Sequence, residues 1–90
     1  MPLIAVLDAI KLSLYHEKDG KHHEPHVHAV YNEYKAVYDF DGRLTRGEMP
    51  NPQKRIIAAW ILEHQEELYD RWESAMRFMP ISRIDREGEK

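Results

Sequence analysis

Two runs rich in valine and tyrosine, residues 25–31 and 34–40, constrain the folding of this chain most, because only Asn32-Glu33 separates them. Each run alternates side chains with the period of a strand. Asparagine tolerates the left-handed conformation that a tight hairpin loop requires. The sequence therefore predicts an antiparallel hairpin with a two-residue loop.

That loop also fixes the register of the hairpin. Counting outward from it predicts three cross-strand pairs: Tyr31 with Tyr34, His28 with Val37, and His26 with Asp39. Strand alternation then assigns the side chains to two faces. The face suited to packing under a helix holds Val27, Ala29, Tyr31, Tyr34, Ala36, Tyr38 and Phe40. The opposite face holds His26, His28, Val30, Lys35, Val37 and Asp39.

A strand is also predicted before this hairpin. Residues 10–16 alternate apolar and polar side chains, as a half-buried strand does. Residues 17–24 carry charges, a glycine and two histidines, a composition typical of a loop. The first predicted strand therefore reaches the hairpin through a charged loop.

A second hairpin follows at Asp41-Gly42, a strong signal for a tight turn. It leads into a brief strand over residues 43–46. The predicted register places Leu44 opposite Asp39 and Arg46 opposite Val37, so that Arg46 joins the histidine face. The sheet is then expected to have four antiparallel strands.

The C-terminal half predicts a long helix. Asn51 is the expected N-cap and Pro52 the first helical residue, because proline lacks only an N–H that would be unsatisfied there. Apolar side chains recur every three or four residues until Pro80, and the helix is either continuous or bent near His64. The opposite, exposed side is predicted to hold Glu63, Glu66, Glu67, Asp70, Arg71 and Glu73.

These elements predict an α+β fold, a four-stranded antiparallel sheet with one face covered by the C-terminal helix. Residues 1–80 form the expected single domain, and residues 81–90 a charged, flexible tail. The chain has 90 residues, no cysteine and a formal net charge of −3, which excludes disulfides and thiolate catalysis. Without a signal peptide or a spanning segment, a cytoplasmic protein is expected, and nucleic acid is expected only as a substrate.

Four of the six histidines fall within residues 22–28. His26 and His28 are two residues apart on a predicted strand and could direct both imidazoles at zinc or another divalent metal. Asp39, His16 or a histidine of the preceding loop would complete the ligand shell. A metal site is therefore one prediction for this cluster.

The same residues allow two other interpretations. In one, Asp39 orients His26 for general acid and base catalysis, and Arg46 or Lys35 stabilises an anionic transition state. The residues proposed as catalytic are then His26, His28, Asp39 and Arg46. In the other, the histidines are partly exposed, hydrogen-bonded strand and loop residues, or interface residues, and make the protein sensitive to pH.

Several short motifs carry a resemblance to a known family. They are His23-Glu24-Pro25-His26-Val27-His28-Ala29-Val30-Tyr31, Glu33-Tyr34-Lys35-Ala36, Gly47-Glu48-Met49-Pro50, and Trp60 with His64, Glu67-Leu68 and Trp72. Over about residues 2–79 the chain resembles the bacterial domain of unknown function family 4160. The family typically has a Pro-Pro-His-Phe-His-Ala core. Here Glu24 replaces the first proline and Val27 the phenylalanine, and both changes leave the His-x-His pair intact.

The resemblance implies a small bacterial or phage-borne protein encoded beside another small protein, in an arrangement like a toxin–antitoxin module. The first functional hypothesis is therefore a protein-binding component that contacts a partner from the same operon, or a second copy of itself. Its binding surface would be the uncovered sheet face, a sheet edge or the acidic side of the helix. The alternative is a hydrolase, similar to a phosphodiesterase or ribonuclease, with or without a metal, at the His-x-His face.

Overall fold

A computed structural model of the protein describes residues 3–15 and 24–84. These residues form an antiparallel sheet followed by two helices, which confirms the predicted α+β class. The strands are β1 (Leu3–Leu7), β2 (Ile10–Ser13), β3 (His26–Tyr31), β4 (Tyr34–Asp39) and β5 (Leu44–Gly47), and the helices are α1 (Asn51–Glu63) and α2 (Gln65–Met76).

The described part of the sheet has five strands in the order β1-β2-β3-β4-β5, so the prediction of four was wrong. The additional strand is β1, which pairs with β2 and places Leu7 opposite Ile10. The turn between them consists of Asp8 and Ala9, whose φ angles are 48° and 71°. Glycine usually marks such a turn in a sequence, because other residues, alanine among them, seldom adopt positive φ. The pair Asp8-Ala9 contains no glycine, and this turn therefore has no sign in the sequence.

The β3–β4 hairpin has the predicted register throughout. Tyr31 lies opposite Tyr34, and Asn32 adopts the left-handed conformation with φ of 53°. The histidine pairs are also confirmed, with His26 opposite Asp39 and His28 opposite Val37. The predicted faces follow from this register.

The β4–β5 pairing agrees with the prediction only in part. Arg46 lies opposite Val37 as expected, but the register shifts between Val37 and Tyr38, and Leu44 lies opposite Tyr38. The expected pairing of Leu44 with Asp39 is therefore wrong. Asp39 instead ends its strand and accepts hydrogen bonds from the turn that follows, which lengthens the connection beyond two residues.

The helix, predicted as either continuous or bent near His64, is divided at that residue into α1 and α2. The predicted N-cap was one residue too late. Pro50 is the N-cap, in an extended conformation with ψ of 150°, and its carbonyl accepts the first helical hydrogen bond from Lys54. Asn51 is instead the first residue of α1, and its side chain makes no capping bond.

Both helices pack on one face of the sheet. The core lies between the helices and the sheet. It contains Ile57 and Ile61 of α1, Leu68 and Trp72 of α2, and the sheet residues Ile4, Leu12, Val27, Tyr38 and Phe40. None of the described helices combines the length and apolar character needed to cross a membrane.

Two features of the C-terminal region differ from the expected exposed side and tail. Arg71 is 6% exposed, so its assignment to the exposed side of the helix is wrong. Its Nε donates to the carbonyl of Ser82 at 3.3 Å. Ile84 is buried and its N–H donates to the carbonyl of Ile4 at 2.8 Å. The packed body thus extends at least to residue 84, and the rest of the predicted tail, residues 85–90, lies outside the described residues.

Candidate functional site

The sheet face turned away from the helices, here called the outer face, carries the side chains predicted to be functional. Its residues on β3, β4 and β5 are all exposed or half-buried: His26, His28, Val30, Lys35, Val37, Asp39 and Arg46. Strand β2 extends this face with Ser13, opposite His28, and Lys11, opposite Val30. The alternation that buries the core face therefore leaves the ionisable side chains on the other.

Val37 lies at the centre of the outer face. Its cross-strand neighbours are His28 on β3 and Arg46 on β5. Lys35 and Asp39 lie two residues before and after it on β4, and therefore on the same side of the sheet. The outer face consequently has a cationic end near Lys35 and an acidic end near Asp39.

A cavity of about 310 Å³, here called the first cavity, lies at the Asp39 end. Its lining consists of Glu24, Pro25, His26, His28, Val37, Asp39, Thr45 and Arg46. The structure thus brings together in one cavity all four residues predicted as catalytic. That gathering follows from the correct register of β3 with β4 and of Val37 with Arg46.

Within the first cavity, His26 has a defined orientation. Its Nδ1 lies 2.8 Å from the carbonyl oxygen of Glu24 and, since a carbonyl only accepts, Nδ1 carries the proton. The ring also makes edge contacts with Trp72 of α2 at 5.1 Å and with His28 at 5.2 Å between centroids. In the neutral ring, Nε2 is therefore the nitrogen of His26 that does not carry the proton.

His28 is held between two other rings. The centroid of Tyr15, two residues beyond β2, lies 4.4 Å from that of His28 in an edge-to-face arrangement. Together with the His26 contact, this forms a line of aromatic side chains from Tyr15 to Trp72. These contacts give both histidines a structural role in addition to any chemical one.

Asp39 has a structural role as well. Its Oδ1 accepts hydrogen bonds from the backbone N–H groups of Asp41 and Arg43, each at 2.9 Å. These bonds stabilise the turn between β4 and β5. Because Nδ1 of His26 bonds to Glu24, Asp39 does not orient His26 through that nitrogen.

The described ranges contain no group of three histidine, aspartate or glutamate residues placed to hold a metal ion. Of the predicted ligands, His26, His28 and Asp39 line the first cavity. His16 and the loop histidines His22 and His23 lie outside the described residues. The metal site therefore stays a prediction.

A second cavity, of about 440 Å³, adjoins the first at the Lys35 end. Its lining consists of Tyr15, His28, Ala29, Val30, Lys35, Ala36, Val37, Arg46 and Gly47. His28, Val37 and Arg46 are common to both cavities. Two cations line this second cavity, and no described acidic residue does.

Sequence reasoning did not identify Gly47 as part of the site. Gly47 has φ of 83°, and a Cβ there would lie 2.9 Å from Cα of Ala36 and would overlap the carbonyl oxygen of Lys35. Only glycine fits this close approach of β5 to β4. The signal in the sequence was the Gly47-Glu48-Met49-Pro50 motif, in which Met49 is buried and Pro50 caps α1.

Comparison with protein families gave one match. A family model described as Domain of unknown function (DUF4160) matches residues 9–73, which is more than half of the chain, and the family resemblance is confirmed. Searches of curated proteins and of solved structures found no match.

Proposed function

We propose that this chain, which belongs to the family of the domain of unknown function DUF4160, is a protein-binding component of a small two-gene module of the toxin–antitoxin type. The observation that supports the proposal best is the outer face, on which the described helix contact is that of Trp72 with His26, at the Asp39 end. The module acts in the cytoplasm, since a cysteine-free chain suits a reducing compartment.

The composition of the outer face is typical of a binding surface. Val30 and Val37 are half-buried in its centre, while the cations Lys35 and Arg46 are exposed beside them. Neither cation forms an ion pair with another residue in the ranges 3–15 and 24–84. An apolar centre with a charged rim is the usual arrangement of a protein–protein interface.

This function is tested by measuring whether the chain binds the small protein that the family resemblance places in the adjacent gene. We expect the two purified proteins to form a complex that elutes as one species in size-exclusion chromatography and gives a dissociation constant by calorimetry. Val37→Arg, at the centre of the outer face, should abolish the complex. Ala59→Arg, at an exposed position of α1, adds the same charge and should leave it intact.

Absence of any complex would contradict the proposal, as would a complex that survives Val37→Arg and is lost in Ala59→Arg. The same chromatography on this chain alone measures its association with a second copy. A homodimer that depends on Val37 would assign the outer face to self-association and not to the partner.

The first cavity supports hydrolysis of phosphodiesters as a second candidate function. His26, through Nε2, would accept a proton from the attacking hydroxyl, and Arg46 would stabilise charge on the phosphate. His28, whose ring lies 5.2 Å from that of His26 and which also lines the cavity, is the proposed donor of a proton to the leaving oxygen. The bonds of Asp39 to its own turn weigh against a His–Asp pair, so this function ranks second.

Cleavage of a single-stranded RNA oligonucleotide, with and without added zinc, tests the second candidate. Activity should fall by at least about a hundredfold in His26→Ala, because general acid–base catalysis contributes roughly 10²–10⁴-fold. His64→Ala, at a histidine that lines neither cavity, is the control. Cleavage that is equal in wild type and His26→Ala would come from a contaminating nuclease.

A further inference from the structure

We infer that the second cavity binds an acidic, extended segment of the protein partner, with an aliphatic side chain on Val30 and Val37 and a carboxylate beside Lys35 and Arg46. This inference rests on the proposed protein-binding function and specifies the chemistry of the partner.

The floor of the second cavity favours an aliphatic side chain. Val30 and Val37 are half-buried, and the backbone at Ala29 and Ala36 lies between them in neighbouring strands. Ala29 and Ala36 direct their own side chains into the core, where both are almost fully buried. The cavity thus offers methyl groups and a short recess, and an aliphatic group bound there buries apolar surface on both sides.

The charges of the second cavity favour a carboxylate. Arg46 lies opposite Val37, and Lys35 precedes Val37 by two residues, so the two cations are diagonal neighbours. Such positions have backbones about 7–8 Å apart, within reach of one anion placed between two long side chains. Because no described acidic residue lines this cavity, a ligand carboxylate meets no repulsion inside it.

The first cavity sets the direction in which the segment lies. Asp39 and Glu24 line it and repel a second carboxylate, so the acidic group of the segment is confined to the Lys35 end. Over the first cavity the segment should carry an uncharged or basic residue. The two adjoining cavities therefore recognise one orientation of a polarised segment.

A protein segment fits this surface better than a nucleic acid does. The net charge of the chain is −3, and the second cavity offers only two cations for phosphate contacts. Its aliphatic lining comes from Val30, Val37, Ala29 and Ala36, whereas single-stranded nucleic acid is bound by exposed aromatic rings on which bases stack. Two aromatic rings, those of Tyr15 and His28, line the second cavity. They pack against each other edge to face and do not form a flat platform for bases.

Titration of the isotopically labelled full-length chain by NMR tests the inference. The probe is a capped hexapeptide that carries glutamate and valine in one half and uncharged serines in the other, in line with the polarised segment. The comparisons are the same peptide with its valines replaced by serine (the glutamate–serine peptide), the same peptide with its glutamates replaced by lysine (the lysine–valine peptide), and a single-stranded RNA octamer. We expect the glutamate–valine peptide to bind most tightly and to shift the amide signals of Val30, Lys35 and Val37. Arg46→Glu should weaken its binding by at least about tenfold, as for a close charge pair.

Lys54→Glu, an exposed cation of α1 outside both cavities, makes the same change in charge and should weaken binding less than about twofold. Equal weakening by the two substitutions would overturn the inference, because it would reveal general electrostatic attraction. Tighter binding of the RNA octamer, or equal binding of the serine and valine peptides, would overturn it as well. Failure of every peptide to bind would have the same meaning.

Binding of the protein encoded by the adjacent gene separates this inference from the function on which it rests. A partner that binds wild type and Arg46→Glu equally overturns the second cavity as the docking site and leaves the proposed function standing. A partner that binds neither protein removes the proposed function itself. A partner lost in Arg46→Glu and retained in Lys54→Glu supports both.

Discussion

Tyr38 places a polar hydroxyl group inside the small apolar core. Its side chain is 1% exposed, and its hydroxyl is buried without a hydrogen-bond partner among the described residues. Burial raises the pKa of Tyr38 above the ordinary value of 10.0, because the charged phenolate would lose its hydration in the core. The residue therefore contributes the apolar area of its ring at the cost of one unsatisfied hydroxyl.

Tyr38→Phe should leave the free energy of unfolding at pH 7 unchanged or raise it by about 1 kcal/mol, because it removes a buried hydroxyl that has no partner. Above about pH 10 the unfolded chain ionises Tyr38 while the folded chain keeps it neutral, so stability of the wild type falls as pH rises. The variant lacks this loss, and its advantage should widen above that pH.

Urea unfolding at pH 7, 9 and 10.5 measures this difference. Tyr34→Phe, at a half-buried position of the same strand, is the matched control. A variant at Tyr38 that is less stable than wild type at pH 7 by more than about 1 kcal/mol would show that the hydroxyl has a stabilising partner.

At the scale of elements, His64 explains why one apolar stripe forms two helices. Its N–H bonds to the carbonyl of Ile61 at 3.1 Å, one residue closer than α-helical spacing, and its φ is −125°. In a continuous helix the carbonyl of Trp60 would accept a hydrogen bond from that N–H. Here it accepts one from Nδ1 of the His64 ring, at 2.8 Å. The ring also stacks on Trp60 with 4.3 Å between centroids, so one side chain satisfies and stabilises the break.

His64→Ala should lower the free energy of unfolding by about 1 kcal/mol, the usual contribution of one hydrogen bond, and by more if the lost stacking adds to it. Chemical denaturation compares it with Glu63→Ala, a neighbouring exposed residue expected to change stability by less than about 0.5 kcal/mol. A variant as stable as wild type would mean that the break is set by packing of the two helices alone.

Two glycines allow the requirement for positive φ to be separated from close approach between strands. Gly42 and Gly47 have φ angles of 87° and 83°. A Cβ at Gly42 would lie 3.4 Å from the carbonyl oxygen of Ala58, near ordinary contact, whereas one at Gly47 would collide with the backbone of β4.

Gly42→Ala should cost about 1 kcal/mol for the left-handed conformation alone. Gly47→Ala should cost at least about 2 kcal/mol more, because β5 must also move away from β4. Thermal unfolding of the two variants measures the difference. Equal melting temperatures would contradict the close approach, and a shifted β5 would also weaken any ligand binding that uses Arg46.

For the whole molecule, the segment after α2 joins the two ends of the fold. Arg71 of α2 holds this segment through the carbonyl of Ser82, and its guanidinium also pairs with Asp70 at 3.2 Å. Ile84 then enters the core and bonds to Ile4 on the edge strand β1. The segment therefore covers part of an edge that would otherwise offer unpaired backbone groups to other chains.

Ile84→Ala should lower the free energy of unfolding by about 2–4 kcal/mol, the usual range for removing a buried isoleucine side chain. Ser82→Ala is the control, because Ser82 is exposed and the backbone carbonyl that accepts from Arg71 is kept in the variant. Differential scanning calorimetry should show a lower melting temperature for the first variant alone. Equal melting temperatures would mean that residues after 80 contribute little to the stability of the domain, as the predicted boundary implies.

The sequence alone determined those features that depend on neighbouring residues. A two-residue loop at Asn32 fixed the register of β3 with β4, since a shift of one residue would have exposed the core face. The same register placed His26, His28 and Asp39 on one face. The predicted pairing of Arg46 with Val37 also holds, but a register shift between Val37 and Tyr38 separates it from the turn. Local patterns of this kind act over a few residues, within reach of sequence reasoning.

Only the tertiary structure decided the features that depend on residues far apart in the chain. Strand β1 is stabilised by its pairing with β2 and by Ile84, which compensate for a turn without glycine. The sequence predicts that the side of α2 that holds Arg71 is exposed. In the structure Arg71 is buried, because the segment after α2 covers it. The ring of His26 rests against Trp72, and these two residues meet only when the helices cross the sheet. Periodicity records which side of an element is apolar, whereas long-range packing decides what covers the other side.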